Sequence, residues 1–213
     1  MLYNLPLGIF FLLLLAVLVY AGYGKIFLQE AALSRLGGLA LIFCLLAGSF
    51  LSFPITFIER EIYINIGGSL IPLAFSIYLF SSLEKAGKIR FLITFIIVFI
   101  YSFTLFCGSF WRIGEYIPNY TFFMLVLLGV CAAVFAGSFA PAFCALFSGM
   151  VLAQAASLIF YRTIVETAIG SPSFLNSMVL VVLWTACILY GYKAFVFRWE
   201  AKKVFGHLIN RRD

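Results

Sequence analysis

The chain contains long stretches without a single charged residue, and their lengths restrict its fold more than any other feature. A helix of about 20 apolar residues crosses the roughly 30 Å hydrocarbon core of a bilayer. Six uncharged stretches reach that length, which predicts membrane-spanning helices. These stretches are residues 1–24, 36–58, 62–83, 91–111, 116–161 and 167–192.

The fifth stretch, residues 116–161, is long enough for two spans. It contains Gly-Ser-Phe-Ala-Pro at 137–141, where proline cannot continue the hydrogen bonding of a helix. We therefore expect two helices here, near residues 121–136 and 141–160, and seven spans in all. Six spans are the alternative if this stretch folds less regularly.

The composition excludes a soluble protein. Hydrophobic residues make up 65% of the chain and charged residues 10%, whereas a soluble domain is roughly a quarter charged. The predicted fold class is all-α, a polytopic transmembrane helical bundle. A single membrane domain is expected over residues 1–196, located in the plasma or inner membrane and in contact with membrane lipid.

Lysine and arginine are unevenly divided between the two sides of this bundle, which predicts an external N-terminus and a cytoplasmic C-terminus. The poorer side holds only Arg60, Arg112 and Arg162. The net charge of +6 is therefore a topology signal, and nucleic-acid binding is not expected. The richer side holds Lys25, Arg35, Lys85, Lys88, Arg90, Lys193, Arg198, Lys202, Lys203, Arg211 and Arg212.

The C-terminal segment, residues 197–213, has the pattern of a basic amphipathic helix. Phe197, Val204 and Leu208 fall on one side of such a helix, and Glu200 and Lys203 fall on the other. It can lie on the anionic inner leaflet. Alternatively, it is a basic tail that only sets the topology.

The sequence lacks the residues that most catalytic and cofactor sites require. His207 is the only histidine, and the five cysteines lie in apolar stretches without Cys-x-x-Cys spacing. No metal site and no cofactor is therefore expected. Asp213 is the only aspartate, which excludes a membrane aspartyl protease. The candidate acids for an enzyme are Glu59, Glu61, Glu115 and Glu166, all at the membrane boundary.

Polar and small residues inside the spans favour helix packing. Gln154 is expected to hydrogen-bond a neighbouring helix. Ala145, Gly149, Ala153 and Ser157 recur at four-residue spacing, which allows two helices to approach closely. This stripe serves either the fold or a homodimer.

Two predicted spans begin with glycine on the outer side. Asn65-Ile66-Gly67-Gly68-Ser69 opens the third span, and Gly170-Ser171-Pro172-Ser173 opens the seventh. A helix N-terminus offers free N–H groups to an anion, and glycine permits close approach. The candidate ligand-binding residues are therefore Arg60, Asn65, Gly67, Gly68, Arg112, Arg162 and Gly170. The alternative is two ordinary capped helix ends, with Asn65 and Ser173 as the capping residues and local Arg–Glu salt bridges nearby.

Three motifs resemble the bacterial and archaeal membrane proteins of the domain of unknown function 1614 family. They are Gly-Ser-Phe-Leu-Ser-Phe-Pro at 48–54, Asn-Ile-Gly-Gly-Ser-Leu-Ile-Pro at 65–72 and Ile-Gly-Ser-Pro-Ser-Phe at 169–174. Ser52 stands where the family has asparagine, Pro172 replaces a glycine, and Leu175 and Asn176 replace Asp-Gly. The resemblance implies the same topology and points to the outer glycine segments. It implies no substrate.

Three function classes follow from these features. Transport or binding of a small anion or lipid head group predicts an outward-facing site between the third and seventh spans. An accessory subunit predicts an apolar face covered by a partner membrane subunit or a second copy. A membrane enzyme is the least favoured class, because its candidate acids show no partner that would tune them.

Overall fold

The structure is a computed structural model that describes residues 7–22, 25–31, 33–57, 60–107, 120–160 and 168–209. Helices account for most of these residues, in agreement with the predicted all-α class. The described helices are α1 (Leu7–Ala21), α2 (Lys25–Glu30), α3 (Arg35–Gly48), a π-turn (Ile66–Leu70), α4 (Ile71–Ser82), α5 (Lys85–Phe106), α6 (Tyr120–Ala136), α7 (Phe139–Phe160) and α8 (Pro172–Ile209).

Three of these helices are long and apolar enough to cross a membrane: Lys85–Phe106, Phe139–Phe160 and Pro172–Val196. The shorter apolar helices are Ile9–Ala21, Arg35–Gly48, Ile66–Ser82 and Phe122–Ala136. This is the architecture of a membrane protein, as the uncharged stretches predict.

The predicted break in the long uncharged stretch is confirmed. Helix α6 ends at Ala136 and α7 begins at Phe139. Gly137 lies between them with a φ of +66°, a left-handed conformation that glycine adopts at little cost. The two helices are therefore separate elements.

The small-residue stripe packs within the chain. All four of its residues are buried, and α7 makes its most extensive contact with α5. A Cβ placed on Gly149 would lie 2.8 Å from Cγ1 of Val98 and 3.4 Å from the backbone nitrogen of Phe99. The stripe thus allows α5 and α7 to approach closely.

A small sheet departs from the helical prediction. Strands β1 (Ser52–Phe57) and β2 (Arg60–Asn65) form an antiparallel hairpin. Strand β3 (Ala168–Ile169) pairs in parallel with β2, which places the strands in the order β1-β2-β3. The uncharged stretch 36–58 is therefore a 14-residue helix followed by a strand, because Pro54 and the alternating pattern around it do not suit a helix.

The connections between the helices lie at two opposite ends of the bundle. Glu30, the last residue of α2, accepts a hydrogen bond from the first N–H of α7 and pairs with Lys193 of α8. We call this the charged end. The sheet joins the connections after α3 and α7 at the opposite end, which we call the sheet end.

The last helix continues beyond its apolar part. Its backbone is helical from Pro172 to Ile209, so it extends through most of the predicted tail without a break. Helix α1 packs against α3 and α8. A core between the helices is formed by buried residues that include Leu12, Ile42, Val98, Leu128, Leu146, Met150, Leu175 and Met178.

Candidate functional site

Four of the seven candidate residues come together at the sheet end. Asn65 ends β2, Gly67 and Gly68 lie in the π-turn, and Gly170 follows β3. Arg60 begins β2 and is placed by its backbone. Arg112 and Arg162 lie outside the described residues.

The end of α3 touches the π-turn through two glycines. A Cβ placed on Gly48 would lie 2.8 Å from the backbone nitrogen of Gly67. A Cβ placed on Gly67 would lie 2.6 Å from the carbonyl carbon of Gly48. These distances are shorter than real Cβ contacts, and the neighbouring atoms are backbone. Only glycine fits at either position.

A second pair of glycines joins the π-turn to the start of α8. A Cβ on Gly68 would lie 2.6 Å from the carbonyl carbon of Gly170, and one on Gly170 would lie 2.7 Å from the nitrogen of Ser69. Gly170 also has a φ of +75°. We call Gly48, Gly67, Gly68 and Gly170 the glycine junction. It brings three segments of the chain into direct backbone contact.

Hydrogen bonds from Asn65 stabilise the contact between the π-turn and the end of α3 at the glycine junction. Its Oδ1 accepts the N–H of Gly68 at 2.8 Å, which caps the π-turn. Its Nδ2 donates to the carbonyl oxygen of Ser49 at 2.7 Å and to Oγ of Ser52 at 3.2 Å. Asn65 is 2% exposed. The capping role proposed for Asn65 from the sequence is therefore present, together with two long-range bonds.

Gln154 of α7 stabilises the backbone that precedes α8. Its Oε1 accepts the N–H of Gly170 at 2.8 Å, and its Nε2 donates to the carbonyl oxygen of Ala168 at 3.3 Å. The sequence suggested a bond to a neighbouring helix, and the structure instead gives bonds to non-helical backbone. Gln154 is a site residue that the sequence did not indicate as one, because its partners are distant in the chain.

The glycine junction lies below the end of α7. Gln154 precedes Phe160, the last residue of α7, by six residues, or about 9 Å along the helix axis. Ala168 and Gly170, which precede α8, bond to Gln154 and therefore lie at its level and not at that of Phe160. Because buried N–H and C=O groups cost about 1–3 kcal/mol when unpaired, the two amide side chains stabilise this non-helical backbone.

Two serine hydroxyl groups lie at the start of α8, at the sheet end. Ser171 caps α8 by accepting the N–H of Phe174 at 3.3 Å, and the hydroxyls of Ser171 and Ser173 lie 2.9 Å apart. Ser173 is exposed and is not the cap that the sequence suggested. Of the four candidate acids, Glu61 is the one with a described side chain; it is exposed and accepts a bond from Tyr63.

The charged end contains an open cavity of about 340 Å³. Beside it, Lys193 pairs with Glu30 and lies 4.9 Å from the ring centre of Phe139. No group of His, Cys, Asp or Glu suited to a metal ion occurs within the described ranges. The cavity is lined by Glu30, Ser82, Leu83, Glu84, Ala86, Gly87, Arg90, Ser138, Ala140 and Pro141.

These features define a helical membrane protein in which the π-turn before α4 and the extended backbone before α8 meet in a buried contact. A model of the family described as "Protein of unknown function (DUF1614)" matches residues 44–176, and the chain belongs to that family. The resemblance seen in the motifs is thereby confirmed. The matched range contains every glycine of the junction. No curated protein and no solved structure matches the chain.

Proposed function

We propose that the chain crosses the membrane seven times, with its N-terminus outside and its C-terminus in the cytoplasm. The three long and four shorter apolar helices together supply seven segments. The charged end carries most of the lysine and arginine, which favours the cytoplasm for that end. The sheet end then faces outward.

We further propose that the sheet end binds, or admits for transport, a small anion or an anionic lipid head group. The observation that carries this proposal is the glycine junction, where the π-turn that leads into α4 meets the extended backbone that precedes α8, below the end of α7. Non-helical backbone at membrane depth is tolerated where it is buried in protein or lines a cavity. Helix N-termini at membrane depth contribute to the substrate sites of many transporters.

The geometry favours a ligand above the glycine junction. The N–H groups of Gly68 and Gly170 already donate to Asn65 and Gln154, and the glycines touch one another. The junction therefore serves as a rigid floor. The ligand would contact the groups above it, which include the hydroxyls of Ser171 and Ser173 at the positive end of the α8 dipole.

One of the three candidate arginines lies on the sheet. Strand β2 begins with Arg60 and ends at Asn65, beside the glycine junction. Arg112 and Arg162 lie outside the described residues. A guanidinium group suits a phosphate or carboxylate group.

Native mass spectrometry of protein extracted gently from its own membrane tests this proposal. We expect an anionic lipid or small anion to accompany the wild type and to be lost from the Arg60→Ala/Arg112→Ala/Arg162→Ala variant. The matched control is Lys25→Ala/Lys85→Ala/Lys88→Ala, which removes three cations from the other end and should retain the ligand. The mass of the adduct distinguishes a lipid from free phosphate. A ligand that persists in the arginine variant would overturn the proposal.

The second candidate is an accessory subunit of a membrane complex. It is favoured by the closed packing of the glycine junction, where both amide side chains are satisfied within the chain. The same experiment separates the two candidates. Wild-type protein that carries another subunit and no small ligand would replace binding with the accessory role.

A further inference from the structure

The β1–β2 hairpin has one apolar and one polar face. Cα partners across an antiparallel pair share a face, and successive residues alternate between faces. Phe53 pairs with Ile64 and Ile55 with Ile62, so these four side chains share one face. The opposite face is formed by three pairs, Ser52 with Asn65, Pro54 with Tyr63, and Thr56 with Glu61. The sixth pair, Phe57 with Arg60, closes the strands beside the turn in the register of the first face, so the apolar part of that face is limited to residues 53, 55, 62 and 64.

The apolar face is continuous along the chain with the exposed surface of α3. Phe43 lies on α3 and Phe50 lies two residues beyond its end, and both are largely exposed. Leu51 follows with 56% of its side chain exposed, and Ile55 on β1 is 41% exposed. Exposed apolar side chains thus run from the helix onto the strand without an intervening charge.

The length of α3 indicates what this surface contacts. Its 14 residues extend about 21 Å, which is about 9 Å short of the roughly 30 Å hydrocarbon core. The uncharged stretch nevertheless continues to Ile58, one residue before Glu59. Strand β1 therefore lies where the outer part of a longer helix would lie.

The outer edge of strand β1 offers few hydrogen-bond donors to a neighbour. The N–H of Ile66 donates to the carbonyl oxygen of Leu51 at 2.9 Å. Residues 51, 53 and 55 therefore bond to β2, while 52, 54 and 56 direct their backbone groups away from it. Pro54 removes the middle outward donor. Proline at such a position also disfavours pairing with another strand.

We propose that the apolar face of the β1–β2 hairpin lies against the outer leaflet of the bilayer at head-group level, where water can bond to the outward backbone groups of 52, 54 and 56, with Ile55 in contact with lipid and Thr56 facing away. The hairpin then completes the span that α3 begins. This inference rests on the proposed outward placement of the sheet end and does not require the proposed ligand.

Spin labels at two adjacent positions test the inference. Ile55→Cys and Thr56→Cys are made in a chain whose five native cysteines are replaced by alanine and reconstituted in purely zwitterionic vesicles. We expect the label at 55 to collide more often with oxygen than with a water-soluble nickel complex. The label at 56, the matched control, should show the reverse preference.

Equal access of the nickel complex to both labels would overturn the inference. Protection of the label at 55 from both reagents would also overturn it, because that result indicates a protein neighbour. Should the cysteine-free chain not fold, Ile55→Trp and Thr56→Trp give the same comparison in a chain whose three native tryptophans are replaced by phenylalanine. Brominated lipid should then quench the tryptophan at 55 and leave that at 56 unchanged. Because the vesicles contain no anionic lipid, this result is independent of the ligand experiment.

Discussion

Different kinds of polar side chain stabilise the two ends of the bundle. At the sheet end, the neutral amides of Asn65 and Gln154 bind buried backbone, and glycines allow chain segments to touch. At the charged end, Glu30 and Lys193 form an ion pair beside an open cavity, with 27% and 41% of their side chains exposed. Each end uses the polar groups that its access to water permits.

The physical reason is the cost of burial. Removing a charge from water costs far more than removing an amide whose hydrogen bonds are all made. Asn65 and Gln154 are almost fully buried and carry no charge. The half-exposed ion pair keeps its hydration, which also makes it weak. We therefore expect substitutions at the sheet end to be much more damaging.

The largest effect is expected at the glycine junction. Gly170→Ala places a Cβ against the backbone of Gly68 and Ser69 and requires a left-handed alanine. Overpacking alone costs about 1–3 kcal/mol, and a left-handed L-residue adds roughly 1–2 kcal/mol. Gly68→Ala should behave similarly. The check is the thermal unfolding midpoint in one detergent, together with the yield of monodisperse protein.

Gly191 provides the matched control for this prediction. It lies in α8 with no atom within 4 Å of a Cβ placed on it. Gly191→Ala should be neutral, or stabilise the helix by up to about 1 kcal/mol. If Gly170→Ala and Gly191→Ala unfolded at the same temperature, the glycine contacts would not be as close as described.

A smaller effect is expected for the amide side chains. Gln154→Leu keeps a similar volume but leaves the N–H of Gly170 without its acceptor. The loss should be about 1–3 kcal/mol. Amide hydrogen exchange measured by mass spectrometry should become faster in peptides that contain residues 168–171. Gln29→Leu, at an exposed position on α2, is the control; equal losses in the two variants would argue against a specific role for Gln154.

The smallest effect is expected at the charged end. A double-mutant cycle with Glu30→Gln and Lys193→Met should give a coupling energy of about 0.2–1 kcal/mol that decreases as salt is added. Glu30→Gln keeps an oxygen that can accept the N–H of Phe139. Unfolding midpoints at low and high salt measure the coupling. A coupling energy larger than the loss of stability in Gln154→Leu would show that the charged end contributes more to stability than the sheet end.

The sequence predicted those features that depend on neighbouring residues. The break at Gly137 follows from a glycine and a nearby proline, and α6 and α7 begin and end close to the predicted positions. The hairpin was missed because an uncharged, apolar stretch satisfies the criterion for a span whether it is helix or strand. The alternation of Ile62 and Ile64 with Glu61 and Tyr63 was the available signal.

The sequence indicated the positions of the site residues better than their contacts. Asn65, Gly67, Gly68 and Gly170 lie where two helices begin, as expected, and ligand binding by these residues stays a prediction. Gln154 was missed as their partner, since it lies 14 residues before Ala168 and within a different helix. An amide in a span has many possible partners, and only the packing of α7 against the sheet selects one.

Composition and the spacing of charges are sufficient to give the class of protein, the positions of most apolar helices and the asymmetry of charge between the two ends. These properties depend on transfer free energies, which add along the chain regardless of what each residue touches. Only the packed fold shows that Gly68 contacts Gly170 and that Gln154 binds the backbone of Ala168 and Gly170. The glycine contact joins positions about a hundred residues apart, so it exists only once the intervening helices have packed.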